Sequence, residues 1–89
     1  MARLTWGVSE YVIEPCRRDG TDASGEMDLR SLLFGALRAG RWVELARLVF
    51  PQGAPPWLRS DQLVVALVHA VERGALRVSR VPVPRRVLA

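Results

Sequence analysis

The chain has 89 residues, of which 49% are hydrophobic, 25% charged and 7% aromatic, and it carries a formal net charge of +4. This length fits one small domain spanning 1–89 and excludes the multi-domain enzyme classes, while the apolar fraction excludes intrinsic disorder. A domain of this size has a thin core, and a partner surface adds to it.

All thirteen basic residues are arginine, a bias that GC-rich coding produces as readily as physical selection does. The charge is unevenly placed. Residues 1–28 hold Arg3, Arg17 and Arg18 against Glu10, Glu14, Asp19, Asp22, Glu26 and Asp28, a net of −3. Residues 29–89 hold ten arginines against Glu44, Asp61 and Glu72, a net of +7. A basic second half attracts nucleic acid, anionic lipid or an acidic protein surface, and charge alone does not choose among them. Cys16 is the single cysteine, which leaves no intramolecular disulfide and too few soft ligands for zinc. Neither a metal nor a cofactor is expected. No basic-then-apolar leader opens the sequence, and its longest apolar run, Leu63 to Val68, is far short of a membrane span. The expected compartment is the cytoplasm.

Residues 8–14 alternate β-branched and aromatic positions and predict a half-buried strand stopped by Pro15, with Gly7 marking a bend before it. Residues 16–27, rich in glycine, charge and capping residues, predict a mobile loop. Asp28 is placed as an N-cap, followed by an apolar stripe at Leu29, Leu32, Leu33, Ala36 and Leu37, with Gly40 as the stop. A second helix carries Trp42, Leu45, Ala46 and Val49 on one stripe and ends before Pro51. A stiff Pro-rich loop brings Trp57 and Leu58 up to a third helix that starts at a Ser60 cap and runs to about Arg73, with Gly74 capping its end. Residues 75–84 predict an edge strand, in which a bulge near Ser79 and Arg80 would bring Val81 and Val83 back into phase with Leu76 and Val78. Residues 85–89 form a basic C-terminal tail. The expected fold is α+β, with three helices packed on a small antiparallel sheet in the order β-α-α-α-β. Two strands make a poor sheet, so either a further short strand lies in residues 1–7 or a second molecule completes it.

Catalytic chemistry is not expected. His69 is the single histidine and sits among apolar neighbours, Cys16 reaches it only if the fold allows, and no phosphate-cradling loop or nucleophile elbow is present. Asp19, Asp22, Glu26 and Asp28 lack the ligand spacing of a calcium loop.

The third helix decides between two classes of partner. Helices followed by a basic strand resemble, without any specific motif, a winged helix-turn-helix. That resemblance implies DNA contact through Arg73, Arg77, Arg80, Arg85 and Arg86. Against it, residues 63–71 are apolar nearly all round, whereas a recognition helix presents polar side chains to base edges. If Leu63, Leu67, Ala70 and Val71 face the core, then Val64, Val65 and Val68 point elsewhere and call for a cover. The expected function is therefore a non-catalytic protein–protein interaction module, working as an oligomer or as an accessory or inhibitory subunit on a larger protein. Its surface would be Trp57, Val64, Val65 and Val68 with a rim of Arg59, Arg73, Arg77 and Arg80. The DNA-binding regulator is the alternative, and neither a membrane nor a small-molecule substrate is expected.

Overall fold

The computed structural model describes residues 1–15 and 23–81. Three helices and a three-stranded antiparallel sheet make an α+β fold: β1 (Ala2–Trp6), β2 (Ser9–Pro15), α1 (Leu29–Arg38), α2 (Trp42–Val49), α3 (Ser60–Glu72) and β3 (Leu76–Val81). The order differs from the expected one by a single element, the strand β1 at the front.

That strand exists because Gly7 makes a hairpin turn rather than a bend. Trp6 pairs with Ser9, leaving Gly7 and Val8 as a two-residue loop. Gly7 takes φ +60, and Val8 has no positive φ, the pattern of a turn with glycine at its first central position. β2 is central, flanked by β1 and β3. Ile13 lies between Ala2 and Val78, and Tyr11 between Leu4 and Arg80. Because side chains alternate along a strand, Ala2, Leu4, Tyr11, Ile13, Leu76 and Val78 share the face that joins the core with the helices.

The register between β2 and β3 runs without interruption from Glu10–Val81 to Pro15–Leu76. The bulge expected near Ser79 and Arg80 is therefore absent. Val81 stays on the face opposite the core, half-buried, while Val83 lies outside the described residues.

The helix ends follow the cap chemistry read from the sequence, with one exception. Asp28 caps α1: its carboxylate accepts from the Ser31 backbone N–H at 3.3 Å and the Ser31 hydroxyl at 2.9 Å. These bonds, the hydroxyl first, hold the Asp28 carboxyl below the usual carboxylate range. α1 and α3 both end in a Schellman turn. The Arg41 N–H reaches the Ala36 carbonyl across Gly40, and the Ala75 N–H reaches the Ala70 carbonyl across Gly74. The two glycines take φ +83 and +84, where a Cβ is strained. The exception is α3, whose N-cap is Arg59 rather than Ser60. Ser60 is already helical, and the Gln62 side chain accepts the Arg59 backbone N–H at 2.9 Å.

Residues 23–27, from the end of the segment expected as a mobile loop, lie beside β3. Ala23 is buried and donates its backbone N–H to the Val78 carbonyl at 2.6 Å, and a single 3-10 turn follows over Ser24–Glu26. Residues 16–22 and the tail at 85–89 lie outside the described residues. Among the described residues, no helix is long and apolar enough to cross a membrane.

Candidate functional site

α3 is held by its neighbours on one side only. Leu63, Val64, Leu67, Ala70 and Val71 are buried against α1, α2 and β3. This corrects one expectation. Val64 is 0% exposed and belongs to the core, whereas its neighbour Val65 is 53% exposed. Val64 lies three residues before Leu67 and seven before Val71, so it shares their stripe, and Val65 is rotated off it. Val68 falls between the two, half-buried and packed on the core.

The outward face of α3 forms a shallow hollow of about 500 Å³ lined by Asp61, Gln62, Val65, Ala66 and His69. Its middle is apolar, its helix N-terminal end acidic and its C-terminal end marked by the imidazole of His69. Just ahead of the helix, Trp57 is 66% exposed, whereas its neighbour Leu58 packs on the core. Two large apolar side chains, Trp57 and Val65, thus face solvent within three helical turns of chain. Such exposure marks interaction surfaces when it is contiguous, and indole rings commonly anchor them.

The expected arginine rim divides. Arg59 stands at the start of α3, well exposed, within 3.9 Å of Asp61. Arg73 is the exposed C-cap of the same helix. Arg77 is elsewhere: it is 9% exposed, on the sheet face opposite the helices and directly across from Glu14. Burial removes it from any rim. Arg80 lies on β3 and reaches Glu26 at 3.6 Å. Arg85 and Arg86 are outside the described residues, as is Cys16, and with it any pairing of that thiol with His69. Among the described residues, no group of three or more metal-ligating side chains converges.

No family model, curated protein or solved structure matches this chain.

A second hollow, about 430 Å³, lies between β1 and α1, bounded by Leu4 and Trp6 on the strand and by Gly35, Arg38, Ala39 and Arg41 on the helix side. Reading Gly7 as a bend leaves a strand in residues 1–7 as only one of two alternatives, so the sequence places no groove opposite α1. A glycine flanked by two stretches of alternating apolar residues was the available signal.

Proposed function

We propose that this chain is a non-catalytic protein-interaction module of the cytoplasm, acting as an oligomer or as an accessory or inhibitory subunit of a larger protein, and that it engages its partner through the outward face of α3. The exposure of Val65 in the middle of an otherwise apolar helix, with Trp57 exposed just before it, carries this reading. The ends of the face support it. Asp61 and Arg59 at one end and His69 and Arg73 at the other give a polar rim around an apolar centre, the usual anatomy of an interface.

Light scattering coupled to size exclusion, at low and moderate salt, tests it. A salt-resistant dimer or larger species is expected, with Val65→Asp reducing it to a folded monomer. A wild-type monomer restricts the reading to the subunit form, in which Trp57 and Val65 meet a different chain. Unfolding or aggregation of Val65→Asp would make Val65 a core residue and refute the surface.

The DNA-binding alternative draws less support. In it α3 would enter a groove, yet its outward face shows Asp61, Val65 and Ala66, Arg77 is buried, and Arg80 is engaged by Glu26. It predicts binding that weakens steeply with salt and is lost in the Arg77→Ala/Arg80→Ala double variant.

A further inference from the structure

The sheet has two edges, and they are treated differently. On the β3 side, the buried Ala23 sits beside the strand and its N–H occupies the Val78 carbonyl. On the β1 side, no described strand or backbone hydrogen bond covers Ala2–Trp6. An uncovered edge presents a row of unpaired N–H and C=O groups and is a template for another strand.

Beside that open edge runs the hollow of about 430 Å³ between β1 and α1. It is open because the helix wall is small there. An added Cβ at Gly35 would meet nothing within 4 Å, and Ser31 and Ala39 lie one helical turn to either side. A strand laid along β1 would point every second side chain into this trough.

Among the described residues that line it, the charged ones are two arginines, Arg38 and Arg41, at the end away from Ser31. Arg41 is fixed by Glu44, to which its Nε and Nη2 both donate, the second bond at 3.0 Å. Arg38 is exposed, and no ion pair engages it among the described residues. From Ser31 to Arg38 is about 10 Å along the helix axis, the reach of about three extended residues.

We propose that the β1 edge and the β1–α1 trough bind an extended peptide segment of a partner protein, which adds to the sheet as a fourth strand, fills the trough with alternate apolar side chains, and sets an Asp or Glu side chain against Arg38. A second copy of this chain is the poorer occupant. The inward side chains of its own β1, Ala2 and Leu4, are already buried in its own core and are not free to fill a neighbour's trough. This surface is distinct from the outward face of α3, and Val65→Asp leaves it intact.

The test uses the full chain and a synthetic array of acetylated, amidated octapeptides. These alternate Val and Thr, with one Glu, Gln or Lys moved through each position, and binding is read by fluorescence anisotropy. Glu peptides are expected to bind, with Gln weaker by about threefold and Lys weaker still. Arg38→Glu should invert the preference toward Lys, which a merely structural role for Arg38 would not do. Gly35→Leu should fill the trough and abolish binding while the melting temperature holds or rises, since leucine is a better helix former than glycine. Four results would overturn the proposal. The first is equal binding of Glu, Gln and Lys peptides, or of none. The second is Gly35→Leu binding as tightly as wild type. The third is binding confined to a control set of the same sequences left with a free C-terminal carboxylate, which would make the occupant a chain terminus. A wild-type dimer that Gly35→Leu converts to monomer would also refute it, by assigning the trough to a second copy.

Discussion

Val64 and Val65 are neighbours in sequence with the same side chain, and the fold sends one inward and one outward. Replacing each in turn with alanine makes the same chemical change in two environments. Val64 is 0% exposed, so its alanine variant removes two buried carbons, worth about 0.8 kcal/mol each in transfer free energy. The hole they leave adds to this, because close-packed neighbours relax only in part, and the total comes to about 2–3 kcal/mol. In a domain of this size each kcal/mol shifts the melting midpoint by about 4–8 °C, so Val64→Ala should fall by about 10 °C or more. Val65→Ala loses little burial and gains helix propensity, which keeps it within about 0.5 kcal/mol of wild type. Thermal unfolding followed by circular dichroism at 222 nm, at a concentration low enough to keep all variants monomeric, measures both. Equal shifts, or a larger shift for Val65→Ala, would refute the helix rotation on which the outward face of α3 depends.

Other substitutions test the frame that carries these surfaces. Gly74→Ala forces a Cβ into the left-handed region at the end of α3 and should cost about 1–2 kcal/mol in chemical denaturation, and Gly40→Ala should cost a similar amount at the end of α1. Asp28→Ala should lower the melting midpoint by a few degrees at neutral pH. The folded Asp28 pKa lies below its unfolded value, so its contribution is complete above about pH 4 and disappears as pH falls through the depressed folded value. A pH titration of wild type and variant should therefore converge at acid pH; a constant difference would refute the cap assignment. Arg80→Ala breaks a half-exposed ion pair to Glu26 and should change stability by less than about 1 kcal/mol, with the Ala23–Val78 bond left in place.

The helices were legible because their periodicity and caps agree: the Leu32, Leu33 and Ala36 stripe lies between a capping aspartate and a left-handed glycine, and no tertiary contact is needed to place it. The antiparallel pairing of the strand at 8–14 with the one at 75–84 was legible as well. Three features were not. Gly7 carries the whole distinction between a bend and a hairpin in its dihedral angles, and one letter does not encode them. The phase of Val81 depended on whether β3 bulges, which pairing with β2 decides. On α3, a run of valines and leucines gives a weak facing signal, so Val64 was misplaced and Val65 was not. The exposed half of the candidate surface, Trp57 and Val65, was thus named from sequence, while the β1–α1 trough needed the hairpin first.

Glu10 pairs with Val81, which places the central strand near the front of the chain and one of its two partners at the far end of the described residues. During synthesis the β1–β2 hairpin and all three helices emerge before β3 does. Until β3 arrives, β2 keeps one side of its backbone unpaired, and α3 has no Leu76 or Val78 to pack against. Non-local closure of this kind slows folding and lengthens the exposure of a sticky intermediate. A translational pause or premature release upstream of Leu76 would therefore yield a product prone to strand exchange with other nascent chains, a hazard set by connectivity rather than by the strength of any single contact.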